Sequence, residues 1–186
     1  TFDNSIGATR AAEGWFTGTS PKMDPCVGAW GGNLTFNNCK FIGRQDTLYG
    51  QEGSVVGFNK CDILGAVDYI YGGMTAVFSD CNLMMNTSEK GSDQAYLTAA
   101  QQKSGRGYLF WNCNVTSTTP GVDTASEYIA KPGFFGRPWQ GTTSEVVFVN
   151  TTVQMSDEYW GGTSLIVPAG WNDSLGGPST SMYEFG

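Results

Sequence analysis

The chain has 186 residues, of which 26 are glycine and only 15% are charged, a turn-rich composition that points to one β-rich domain. A net charge of −7 argues against nucleic acid or an anionic membrane as partner, and no apolar run approaches the roughly 20 residues of a membrane span. The complete absence of histidine excludes Ser-His-Asp and Cys-His catalysis and removes zinc's commonest nitrogen ligand, so acid–base chemistry must rest on carboxylates, Tyr, Lys or Cys.

Taken in order, the chain shows a repeat. Thr1-Phe2-Asp3-Asn4-Ser5 reads as its first copy, residues 6–33 lack it, and Ala8–Trp15 within them suits a helical turn. The motif returns at Phe36-Asn-Asn-Cys39-Lys-Phe41, Phe58-Asn-Lys-Cys61-Asp-Ile63 and Phe78-Ser-Asp-Cys81-Asn-Leu83. Phe110-Trp-Asn-Cys113-Asn-Val115 and Phe148-Val-Asn-Thr151-Thr-Val153 complete it. A unit of about 20–22 residues with occasional insertions fits one coil of a right-handed parallel β-helix, an all-β solenoid expected over residues 1–186. Phe2, Phe36, Phe58, Phe78, Phe110 and Phe148 should then stack inside, beside a second ladder of Ser5, Cys39, Cys61, Cys81, Cys113 and Thr151. Stacked neighbours could reach disulfide distance, but buried free thiols are favoured, because the same position accepts Ser and Thr. Cys26 stands outside the repeat, and no Cys-x-x-Cys pair occurs. Residues 84–107 and 116–133 read as insertions, and loops of this kind usually shape a groove on one flank. Five Asn-x-Ser/Thr sequons, at Asn33, Asn86, Asn114, Asn150 and Asn172, suit an exported protein.

The chemistry is expected around Gly65–Gly73, where a lone Asp68 lies among β-branched and aromatic residues. Alternation puts Val67, Tyr69 and Tyr71 on one side of a short strand and Asp68 and Ile70 on the other. A carboxylate in such company is paired, protonated or used; the plainer alternative is a strand-end aspartate bonding its own backbone. Asp46 follows Phe36 by ten residues and Asp68 follows Phe58 by ten, so both share one register on successive coils. Their backbones then lie one strand spacing apart, about 4.8 Å. Two carboxylates that close cannot both ionise cheaply, so one should keep its proton near neutral pH. Arg137 emerges on the same flank about two coils along and would lower the pKa of whichever carboxylate it meets, unless it is only a structural ion pair.

Three stretches, Gln45-Asp-Thr-Leu-Tyr49, Gly65–Gly73 and Gly133-Phe-Phe-Gly-Arg137-Pro-Trp139, together resemble the signatures of the pectin methylesterases, over about Asn33 to Gly186. The resemblance implies that Asp68 attacks the methyl-ester carbonyl at C6 of a galacturonate unit. It implies that Asp46 is the acid and then the base, Gln45 an oxyanion-hole donor and Arg137 the residue that holds the nucleophile. Tyr71, Trp139 and, less directly, Tyr49 would line the sugar groove, with Tyr71 where the family often has phenylalanine. It implies pectin (homogalacturonan) as partner, no metal or organic cofactor, a secreted monomer, and further coils before Thr1 and residues beyond Gly186. Family members carry a second glutamine one coil before the Gln-Asp pair, where this chain has Met23, which cannot donate a hydrogen bond. A backbone N–H or Lys22 could substitute, the enzyme could be slow, or the chain could be a weakened relative; substitution is favoured. The rivals are a non-catalytic polysaccharide-binding solenoid and a calcium-dependent pectate lyase. A polygalacturonase is more distant, because its motifs include a histidine.

Overall fold

The computed structural model describes residues 1–3, 26–86, 94–119, 121–123, 130–140 and 143–186. Its strands form three parallel sheets that each coil visits in turn, the arrangement of a parallel β-helix. One sheet carries the phenylalanines: β3 (Asn33–Asn37), β6 (Val55–Asn59), β9 (Thr75–Ser79), β12 (Tyr108–Trp111), β15 (Val146–Val149) and β17 (Met182–Phe185). The next follows the cysteines: β1 (Phe2–Asp3), β4 (Lys40–Ile42), β7 (Asp62–Gly65), β10 (Asn82–Met85), β13 (Asn114–Ser117) and β16 (Thr152–Val153). The third, the site sheet, holds β2 (Val27–Ala29), β5 (Leu48–Gly50), β8 (Ile70–Gly72), β11 (Tyr96–Ala100) and β14 (Phe134–Gly136).

The repeat reads directly as register. Phe36, Phe58, Phe78, Phe110 and Phe148 pair in line, with successive ring centroids 5.3, 4.6, 4.4 and 4.2 Å apart and planes within 15° of parallel. Two residues past each phenylalanine the chain turns sharply, and Asn38, Lys60, Asp80, Asn112 and Asn150 there all have φ between 51° and 54°. Asn and Asp tolerate that left-handed bend better than other side chains, which explains the polar pair inside the motif. All five cysteines are free thiols, as favoured, and Cys61, Cys81 and Cys113 donate to backbone carbonyls of their own and the preceding coil.

Several expectations need correction. Phe2 is not in register with the phenylalanine stack: its backbone pairs with Phe41, at the position that closes the motif, because two residues carry too short a pattern to fix which sheet they join. Phe36 and Cys39 are half-buried rather than buried; among the described residues β3, which carries Phe36 and precedes Cys39, pairs with β6 alone. The insertions are narrower than the phenylalanine spacing suggested: the end of β10 and all of β11 lie within residues 84–107 and the end of β13 within 116–133, with Leu97 and Thr118 buried. Ser5, Ala8–Trp15, Lys22 and Met23 lie outside the described residues.

Candidate active site

The site begins with two sharp bends. Asp46 (φ 59°) and Asp68 (φ 51°) both occupy the left-handed region, which aspartate tolerates better than most side chains. Such a bend still has to be held by the structure around it. Here the neighbouring coil does so: the Asp46 N–H donates to the Val67 carbonyl (3.0 Å) and the Leu48 N–H to the Tyr69 carbonyl (2.8 Å). Leu48 pairs with Ile70, so two residues earlier Asp46 and Asp68 fall into line, as their spacing indicated. The bend at Asp68 also overturns the expected alternation: Tyr69 and Ile70 are both fully buried, and only Val67 and Tyr71 are left partly exposed.

Arg137 follows β14, two coils beyond Asp68, and reaches back across the sheet. Its Nε donates to Asp68 Oδ1 at 2.7 Å and its Nη2 to Oδ2 at 2.6 Å, a bidentate pair joining residues 69 apart in sequence. Nη1 donates to Ser174 Oγ at 3.3 Å, and Cζ lies 4.0 Å from the Tyr96 ring centroid. Burial alone would depress the guanidinium's pKa; its hydrogen bonds to Asp68 and the charge there override that and keep it above the ordinary value.

The two aspartates are both nearly buried, at 8% exposure, yet differ in company. Burial, and next the charge of Asp68, push Asp46 up to about 7, with Arg137 pulling weakly the other way. Burial pushes Asp68 up as well, but two hydrogen bonds and a full charge from Arg137 oppose the rise. Burial thus raises both carboxyls, but only Asp68 has a guanidinium that favours its charged form, so Asp46 is the one that holds a proton more readily.

The remaining expected residues lie on the site sheet or directly beside its strands. Gln45, half-buried, directly precedes Asp46. Tyr49 and Tyr71 are in register, with ring centroids 5.0 Å apart. Trp139 is 36% exposed, and its N–H donates to the Ala100 carbonyl at 3.0 Å. Two aromatic residues escaped the sequence reading. Trp30, 68% exposed, tilts against Tyr49 at 5.7 Å and extends the tyrosine row. Its indole fills the space a Cβ on Gly28 would need, so that glycine makes its position possible. Tyr96 lay within a stretch read as insertion. Nothing local marks Trp30, whereas Tyr-Leu-Thr-Ala-Ala is a strand pattern that could have located Tyr96. Among the described residues, no three Cys, Asp or Glu side chains gather into a metal-ligand set.

The family model described as Pectinesterase matches residues 28–181. The chain belongs to the pectinesterase family. It is 36% identical over 145 residues to a probable pectinesterase/pectinesterase inhibitor 64 of Arabidopsis thaliana, covering 72% of this chain and 22% of that protein. It is 32% identical over 156 residues to a probable pectinesterase A of Neosartorya fischeri, covering 82% of this chain and 41% of that one. Among solved structures, the pectin methylesterase from Aspergillus niger superposes with a TM-score of 0.61 at 27% identity, over 79% of this chain and 42% of that one. The chain thus spans less than half the length of these relatives.

Proposed function

We propose that this chain carries the catalytic centre of a pectin methylesterase, hydrolysing C6 methyl esters of homogalacturonan to methanol and pectate. The observation that carries the reading is the bidentate Asp68–Arg137 pair beside a proton-holding Asp46. An ionised Asp68 oxygen adds to the ester carbonyl, and the negative charge that develops on the carbonyl oxygen is met by the Gln45 amide N–H. As the tetrahedral species collapses, Asp46 gives its proton to the departing methoxy oxygen, releasing methanol and leaving an acyl anhydride on Asp68. Asp46, now a carboxylate, takes a proton from water as the water oxygen attacks that anhydride. The galacturonate carboxyl departs, and Asp68 returns as carboxylate with Asp46 protonated. Arg137 holds the nucleophile in place and favours its charged form.

The aromatic row of Trp30, Tyr49 and Tyr71, with Trp139 beyond the carboxylates, offers flat faces for sugar rings of a polymer lying along the solenoid. A polymeric cell-wall substrate and the five sequons favour a secreted enzyme, and residues 1–186 are read as part of one β-helix domain acting as a monomer.

Methanol release from highly esterified pectin tests the reading. Asp68→Asn should remove nearly all of it while leaving the far-UV circular dichroism and pectin binding intact. Retention of more than about a tenth of parental turnover would sink the assignment, since loss of a nucleophile ordinarily costs several orders of magnitude. Pectin binding without methanol in the parent would favour the binding solenoid, and an unsaturated, ultraviolet-absorbing product would favour a lyase.

A further inference from the structure

Tyr96 takes no part in the steps above, yet the structure places it against the residue that aligns the nucleophile. The site sheet pairs Leu48, Ile70, Thr98 and Gly136 in line; two residues earlier Tyr96 pairs with Phe134, and its backbone bonds to both sides of the bend at Val67 and Asp68 on the preceding coil. Phe134 stacks on the Tyr96 ring at 5.4 Å with planes 9° apart, which leaves the other ring face for the Arg137 guanidinium, 4.0 Å away. Carboxylate, guanidinium, phenol and phenyl thus form one column along the solenoid axis.

The column matters because Arg137 must cross two coils to reach Asp68. Its neighbour in register is Ala99, whose methyl group cannot restrain a long flexible side chain. Tyr96 can: its own backbone is tied to the coil of Asp68, its N–H donating to the Ala66 carbonyl at 2.9 Å. A guanidinium lying on an aromatic face keeps its edge free for in-plane hydrogen bonds, while the ring's negative face attracts the charge.

We propose that Tyr96 is a positioning residue, an aromatic platform that holds the Arg137 guanidinium in the plane from which Nε and Nη2 both reach Asp68. The role rests on the esterase reading above. The carboxylate whose charge acts most on the guanidinium is Asp68, joined by Asp46 when that group ionises. Without the platform Arg137 samples other rotamers, Asp68 loses part of its stabilisation as a carboxylate, and the fraction of enzyme ready to attack falls. Binding of the sugar chain is unaffected, because it runs over other aromatic residues.

The test compares parent, Tyr96→Phe and Tyr96→Leu by methanol release across pH, and by ¹³C NMR titration of the Asp68 carboxyl, assigned with Asp68→Asn. Tyr96→Phe should stay within about twofold of the parent. Tyr96→Leu should lose about tenfold in kcat with KM within about twofold. Its Asp68 titration and the acid limb of its profile should both move to higher pH. Phenylalanine carrying one to three fluorines at position 96 preserves shape while draining the ring face, so kcat should fall stepwise even if Tyr96→Leu does not fold. A flat fluorine series, or a folded Tyr96→Leu with parental kcat and Asp68 titration, would overturn the proposal. The NMR titration needs no turnover, so it judges Tyr96 even if the parent releases no methanol and the esterase reading fails.

Discussion

At the scale of single residues, Asp46 and Asp68 have the same backbone bend, the same exposure and the same register, and differ in one partner. In the proposed mechanism that partner separates their roles. Asp46, raised to about 7 chiefly by burial, favours its protonated form in mildly acidic solution, the form that mechanism needs to release methanol. The expected outcome is a kcat/KM profile that falls on the alkaline side with a midpoint near 7, read from initial rates at fixed ionic strength. The same shift has a stability sign. A carboxyl whose folded pKa lies above its unfolded value stabilises the fold most below about 4, and that contribution is lost as pH rises through about 7. Asp46→Asn, which cannot ionise, should therefore gain in melting temperature over the parent between pH 4 and pH 8, a difference absent at the acid end. A constant offset across that range would show that Asp46 is not the titrating group.

At the scale of elements, each coil is held by the one before it and the one after. Phe78 shows this most simply, with its ring between Phe58 at 4.6 Å and Phe110 at 4.4 Å and no exposure to solvent. Truncating it leaves a cavity between two rungs, so Phe78→Ala should cost about 3–5 kcal/mol, measured as a lowered urea midpoint. The bends between strands offer the opposite case. Lys60 takes the left-handed position (φ 53°) that Asn38, Asp80, Asn112 and Asn150 fill elsewhere, and its side chain is exposed. Lys60→Asn should therefore stabilise by about 0.5–1 kcal/mol, visible as a higher urea midpoint with an unchanged slope. An unchanged midpoint would mean that the bend carries no strain.

At the scale of the whole molecule, chemistry resting on two carboxylates, an amide and a guanidinium needs no metal, and turnover in EDTA should equal turnover without it once ionic strength is matched. Loss to chelator that calcium alone restores would move the reading to a lyase. What the amino-acid sequence determined by itself is whatever recurs. A solenoid presents the same environment once per coil, so stacked phenylalanines, free thiols, polar bends and the shared register of Asp46 and Asp68 all leave a periodic trace. Motif resemblance added the family. Tertiary structure alone decided what depends on the path between coils: that Phe2 pairs with Phe41, that Tyr96–Ala100 is a strand of the site sheet, and that Trp30 joins the tyrosine row. It also decided which aspartate Arg137 holds, and so which carboxyl has its charged form favoured, because that depends on the reach of Arg137 across two coils. Periodicity encodes contacts between equivalent positions on adjacent coils; contacts between non-equivalent positions have no period, and only the folded chain brings them together.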